Sequence, residues 1–180
     1  MLNVTDDSGL LALVVPATYE TFVASDWTLS QILAHFTAQM SCRALLIWGT
    51  GLSGFWEVDV RLKLTELRGF REVSGPLHVA SGSLLLTNYE SLTMAAQFND
   101  VTLPEKHQAD LLVSLPDGEY KCRIIQMFDP EREETARDDK PDFIIELEKT
   151  NQNLGVWKSI PWFEIGGKAT TCRAEKTYRR

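Results

Sequence analysis

Histidine and cysteine are scarce in this 180-residue chain, three of each, and the scarcity removes most of the chemistry that such residues carry. His35, His78 and His107 stand apart from one another and from Cys42, Cys122 and Cys172, with no CxxC pair and no ligand spacing for zinc. A GxSxG elbow is also missing, so no nucleophile and base are marked out. Three widely spaced cysteines read as packing residues of a reducing compartment and not as a disulfide framework. No apolar run approaches the ~20 residues that span a bilayer. The opening MLNVTDDSG lacks the positive residues and apolar stretch of a secretory signal. The expectation is a cytoplasmic protein without membrane contact. Glycines cluster in Gly49-Thr50-Gly51-Leu52-Ser53-Gly54, but no lysine follows the last of them and no helical pattern opens, so the phosphate-loop signature fails.

What is present suits an ordinary globular chain: 44% of residues are hydrophobic and 24% charged. The length predicts one domain over residues 1–166, followed by a basic tail over 167–180. That tail holds Lys168, Arg173, Lys176, Arg179 and Arg180 against Glu175, a net +4, so the rest of the chain carries −11 of the total −7. A body so acidic argues against direct nucleic-acid binding, which is driven by cations displacing counterions from phosphates. The tail itself reads as a solvated C-terminus.

Period-two alternation dominates the pattern. Leu10 to Val15 and Thr18 to Val23 read as extended segments, with Pro16-Ala17 between them as a bend. Cys42 to Trp48, apolar but for Arg43, is read as a strand covered on both faces. In FWEVDVRLKL, Trp56, Val58, Val60, Leu62 and Leu64 face one way and charged residues the other. PLHVASGSLLLTN predicts a hairpin about Ser81-Gly82, with His78 outward, and the residues Leu111 to Phe128 predict a second about Pro116-Asp117-Gly118. FIIELE resumes the strand pattern. One short helix is expected near residues 28–38, where Leu29, Ile32, Leu33 and Phe36 follow helical spacing and Asp26 or Thr28 can cap the first turn. Tyr89 to Lys106 is mixed and is read as a strand. About nine strands and one helix predict a mainly β fold, an antiparallel two-sheet β-sandwich.

Between the strands ending at Phe128 and starting at Phe143 lies DPEREETARDDKPD, seven carboxylates against three bases. Its solvated-loop reading is the bland one. The sharper ones are a partner-binding acidic surface and a Ca²⁺ site, the latter opposed by a spacing unlike an EF-hand and by Arg132, Arg137 and Lys140 competing for the same acids. The partner-binding candidates are Asp129, Glu131, Glu133, Glu134, Asp138, Asp139 and Asp142. Trp157 and Trp162 from the aromatic segment after FIIELE, or Tyr120, would serve as apolar anchors. No catalytic residue, metal ligand or cofactor is expected.

Three stretches, TYETFVASDWTLSQI, Arg71 ahead of PLHVASGSLLLTN, and LPDGEYKCRI, resemble the competence protein J family of small bacterial inhibitors of a DNA-entry nuclease. The likeness covers about Tyr19 to Phe128 and rests on scaffold features, a Phe before a DWT helix start and a PxGxY turn, so no family residue is carried over in a functional role. The acidic loop and the C-terminal segment lie beyond it. What the resemblance implies is a binding protein of the inhibitor or immunity type, with a cognate nuclease or toxin as partner; charge complementarity to a cationic nuclease channel, and not the resemblance, suggests that the acidic loop faces it. The alternatives are a carbohydrate- or calcium-binding sandwich module and a self-associating structural subunit using Trp157 to Phe163.

Overall fold

A computed structural model describes residues 1–131 and 140–164. The described residues fold into two packed sheets with two α-helices: β1 (Leu2–Asp6), β2 (Leu10–Val14), α1 (Leu29–Ser41), β3 (Leu45–Gly49), β4 (Gly54–Arg61), β5 (Arg71–Val79), β6 (Ser83–Asn88), α2 (Tyr89–Gln97), β7 (Leu112–Ser114), β8 (Gly118–Gln126) and β9 (Phe143–Lys149), with a 3-10 helix at Lys106–Leu111. One sheet runs β1-β4-β9-β8-β5 and the other β3-β2-β6-β7. The expected two-sheet sandwich is there. Every pairing is antiparallel except β4 with β9, which run parallel.

Both expected hairpins are corners. β5 pairs only with β8, while β6 lies in the other sheet beside β2 and β7. Likewise β7 and β8 belong to different sheets. The turn residues are those a hairpin would use, but the strands on either side of each turn pair in different sheets, so each turn hands the chain from one sheet to the other. The two corners brace each other: the Gly82 amide donates to Asp117 Oδ1 (2.6 Å) and the Leu115 amide to the Gly82 carbonyl (3.1 Å). The Tyr120 hydroxyl donates to the Pro116 carbonyl four residues upstream (2.8 Å), the tyrosine corner of sandwich folds.

Thr28 caps α1 in a capping box with Gln31, and the helix buries Ile32, Leu33, Phe36 and Met40. It runs on to Ser41, beyond its expected end. Tyr89–Gln97 is helical where a strand was expected. Asn88 caps it by accepting from the Ser91 amide (2.9 Å), and burial of Leu92, Ala95 and Ala96 on one side favours the helical period. Thr18 to Val23 forms no strand: Tyr19 is buried, Phe22 is exposed, and the Val23 amide donates to Ala96 at the end of α2. β4 ends at Arg61, so Leu62 lies outside the strand and is exposed.

Between the sheets, Trp48, Trp56, Phe128 and Phe143 form one aromatic cluster, with Trp56 stacked on Phe128 at 5.4 Å and edge-on to Phe143 at 5.5 Å. The outer face of the five-stranded sheet is covered too, by residues 62–70. Glu146, fully buried on β9, accepts from Arg123 (2.9 Å) and from the amide (3.2 Å) and hydroxyl of Thr65. Arg123 also donates to the carbonyls of Thr65 and Leu67 and to Glu72. On the open side between β5 and β3, residues 154–163 close the seam. The Trp157 indole donates to the Pro76 carbonyl (2.8 Å) and lies against Gly75, where a Cβ would come within 2.3 Å of its ring.

Candidate functional site

At one end of the sandwich four segments meet on the glycine-rich loop between β3 and β4. Its glycines serve close backbone approach. The Gly49 amide donates to the Pro161 carbonyl (2.9 Å), and a Cβ there would sit 2.2 Å from the Trp162 carbonyl oxygen. Gly51, with φ +92°, packs on Pro130, so a side chain would be strained and would clash. Thr50 is fixed on every side: its amide donates to Gly9 (2.9 Å), its hydroxyl to the Leu52 carbonyl (2.6 Å), and its carbonyl accepts from Gln126 (2.8 Å).

Arg71, at the start of β5, clamps this end. Its Nε donates to Gln126 Oε1 (2.6 Å) and its Nη2 to the Gly49 carbonyl (3.1 Å), while its guanidinium lies 4.5 Å from the centre of the Trp162 ring. Burial lowers its pKa to about 10, and the charge of Asp129 opposes that drop. The arginine that the sequence marks as part of a family likeness thus holds the loop, β8 and the C-terminal segment together.

In front of this framework opens a cleft of about 350 Å³ lined by Asp7–Gly9, Gly49, Gly51–Ser53 and Trp162–Glu164. Asp7 and Glu164 are exposed at its rim, and no basic residue lines it. Behind Ser8 lie two more carboxylates. Asp6, 1% exposed, accepts from the Ser8 amide (3.0 Å), and the Ser8 hydroxyl donates to Glu90. Burial chiefly, and the nearby charge of Glu90, push the Asp6 pKa up. Glu90 Oε2 is buried without a hydrogen-bond partner. A second cleft, about 440 Å³, lies across the fold between β1 and the 3-10 helix.

The candidates read from the sequence separate into groups. Asp129 and Glu131 stand beside the glycine loop through Pro130, with the Glu131 amide donating to Asp129 Oδ1 (3.0 Å). Trp162 lines the cleft. Three others face inward. Asp142, 5% exposed, accepts from the Glu57 amide (2.8 Å) and joins β9 to β4; Trp157, 7% exposed, seals the seam; Tyr120 makes the corner described above. Glu133, Glu134, Asp138 and Asp139, and the basic tail over 167–180, lie outside the described residues. Sequence reasoning missed Asp7 and Glu164. Asp7 stands in a polar turn and Glu164 follows the aromatic pair Trp162-Phe163, and the fold alone brings them to one rim.

Among the described residues no group of three or more His, Cys, Asp or Glu side chains could hold a metal ion, and no helix is long and apolar enough to cross a membrane. No protein-family model matches the chain, and no curated protein matches it. Two solved structures resemble it. One, described as crocagin biosynthetic gene J, aligns with a TM-score of 0.54 at 15% identity over 82% of this chain and 93% of its own. The other, described as ComJ, inhibitor of the DNA degrading activity of NucA, from Bacillus subtilis, aligns with a TM-score of 0.46 at 11% identity over 83% and 94%. At 15% identity the likeness to the first is one of fold.

Proposed function

We propose that this chain is a binding protein, not an enzyme, that neutralises a cognate nuclease or toxin in the cytoplasm by offering carboxylates where that partner would hold phosphates. The observation that carries the reading is the glycine-loop end of the sandwich, where Asp7, Asp129, Glu131 and Glu164 outnumber Arg71, which holds the loop, on a body with a net charge of −11. The sequence likeness over Tyr19 to Phe128 gives the kind of partner. A nuclease must attract a polyanion, so its substrate channel is cationic, and an acidic inhibitor gains both encounter rate and complementarity there. Trp162 supplies the aromatic anchor, and the sequence adds Glu133, Glu134, Asp138 and Asp139 to the same acidic segment.

The test is to mix the purified chain with purified candidate nucleases and secreted toxins and follow both complex formation and DNA degradation. The reading expects a stoichiometric complex, slower degradation, and association that weakens as salt rises from 50 to about 500 mM. Full nuclease activity in the presence of excess chain, with no complex at low salt, would refute it.

A further inference from the structure

We infer that the helical layer, at the C-terminal end of α2, docks a basic protein segment that presents apolar side chains among lysines or arginines. The inference rests on the binding-protein reading for its partner being a protein, and it adds a contact surface on the helices, away from the acidic loop. An apolar patch and the charge around it carry it.

Both helices lie on the outer face of the four-stranded sheet, whose strands β2 and β3 are buried along their whole length. Phe36 of α1 meets Tyr89 of α2 edge-on at 6.1 Å, which joins the two helices into one layer. At the edge of that layer three large apolar side chains stay outside the core: Phe22, Met94 and Phe98 are 49%, 48% and 42% exposed. Met94 and Phe98 stand four residues apart at the end of α2, where the Phe98 amide donates to the Met94 carbonyl (3.0 Å). Phe22 is held beside this end. The amides of the next two residues, Val23 and Ala24, both donate to the Ala96 carbonyl (2.8 and 3.2 Å), and Gln97 Nε2 donates to the Ser25 carbonyl (3.2 Å). The backbone under the three side chains is thus pinned, so little ordering is needed when a partner covers them. Apolar side chains gathered at one place and rimmed by polar groups mark a docking surface, where the same residues scattered singly would not.

The charge around the patch names the occupant. Residues 1–42 and 72–105, which supply both helices and the segments flanking them, contain no lysine or arginine. Glu20 and Asp100 lie two residues from Phe22 and Phe98, Asp26 follows the Ser25 that Gln97 holds, and all three carboxylates are exposed. Of the bases that bound these stretches, Arg43 is engaged with Glu119 (2.9 Å) and the Gly155 carbonyl, Arg71 holds the glycine loop, and Lys106 begins the 3-10 helix beyond Glu105. A second copy of the chain or an anionic lipid surface would set negative charge against Glu20, Asp26 and Asp100. A basic segment with apolar side chains suits both features at once, covering Phe22, Met94 and Phe98 while its cations meet the carboxylates around them.

The experiment titrates the full chain, ¹⁵N-labelled, with an amphipathic helical peptide of leucine and lysine, about fourteen residues long. Two peptides of the same length serve as controls, one of leucine and glutamate and one of serine and lysine. The leucine–lysine peptide is expected to shift the amide signals of Phe22, Met94 and Phe98 in a saturable manner, and both controls to leave them in place. Phe22→Ser/Phe98→Ser is expected to weaken the peptide dissociation constant about tenfold, and Asp26→Asn/Asp100→Asn about threefold at low salt. Should the serine variant melt early, Met94→Gln on the exposed helix surface takes its place, with an expected loss of about threefold. Equal shifts with either control, unchanged constants in the variants, or shifts confined to other surfaces would overturn the inference. So would the same signals moving without peptide, whether on raising the protein concentration, on adding phosphatidylserine vesicles, or on replacing Lys168, Arg173, Lys176, Arg179 and Arg180 by glutamine. Those results would assign the face to a second copy, a membrane or the chain's own tail. Because this titration contains no nuclease, its failure leaves the inhibitor reading to its own assay, and failure of that assay leaves the docking face standing.

Discussion

Glu146 and Glu164 carry the same side chain into opposite surroundings. Glu146 lies under residues 62–70, fully buried, with Arg123 and both the amide and hydroxyl of Thr65 as donors, so its charge is spent on closing the outer face of the five-stranded sheet. Glu164 stands in solvent at the rim of a cleft with no base in its lining. Asp142 belongs with the first and Asp7 with the second. The comparison teaches that a net charge overstates what a protein offers a partner. Among the described acids, Glu146 and Asp142 are taken up as buried hydrogen-bond acceptors and offer little to the outside, whereas Asp7 and Glu164 stand exposed at the glycine-loop end.

The largest effect expected from this division is on stability. Glu146→Gln keeps the volume but removes the charge, leaving Arg123 with Glu72 alone. Breaking a buried pair in this way costs about 3 kcal/mol. Urea unfolding should show a lower midpoint at an unchanged slope. A loss under about 0.5 kcal/mol, the range of ordinary surface changes, would place Glu146 with the rim acids and erase the contrast. A double replacement of Glu146 and Arg123 by leucine should be less damaging than either single change, since no unpaired buried charge then remains.

A smaller effect distinguishes the two regions by pH. Glu72 shares Arg123 with Glu146, and that hydrogen bond holds its pKa below the ordinary 4.5. Its contribution to stability is therefore present above that value and lost as pH falls through the lowered one. Asp6 is the reverse case. Burial raises its pKa above the ordinary 3.8, so its contribution is full below 3.8 and is lost as pH rises through the raised value. Relative to the parent, Glu72→Gln should thus stay destabilised from neutrality down to about pH 4.5 and recover only as pH falls below it, whereas Asp6→Asn should gain as pH climbs above 3.8. Parallel curves for the two variants from acid pH to neutrality would mean that neither carboxylate is tuned as the structure describes.

The fold was largely legible in the sequence because period two survives packing. The alternation from Trp56, the covered run before Gly49, FIIELE and the Thr28 cap all became the elements they suggested. What misled was local chemistry common to two outcomes. Asp117-Gly118 and Ser81-Gly82 suit a tight hairpin and a sheet-to-sheet corner equally, and the choice is made by pairing across the sandwich, with Tyr120 and Asp117 locking it. Leu92, Ala95 and Ala96 fit one helical turn as well as Leu92, Met94 and Ala96 fit a strand; the Asn88 cap decided for the helix and left Met94 exposed. The site was less legible than the fold. Asp129 and Asp142 look alike in the sequence, but one lies at the glycine-loop end and the other is bonded to the β4 backbone, and nothing in residue order brings Asp7 near Glu164.

The smallest expected change in stability tests the functional side of the contrast. Asp129→Asn/Glu131→Gln keeps the carbonyl oxygen that accepts from the Glu131 amide and removes two charges at the edge of the fold. Unfolding should move by no more than about 0.5 kcal/mol, as for other surface changes. If the exposed acids steer a cationic partner, the same variant should associate about three- to tenfold more slowly at low salt, with a dissociation rate close to the parent's, and the gap should close as salt screens both proteins. Stopped-flow or surface-based kinetics against the nuclease that the chain binds would read both constants. A slower dissociation phase or an unchanged association rate would mean that the acids beside the glycine loop do not act through long-range attraction. The field that matters would then have to come from elsewhere on the chain.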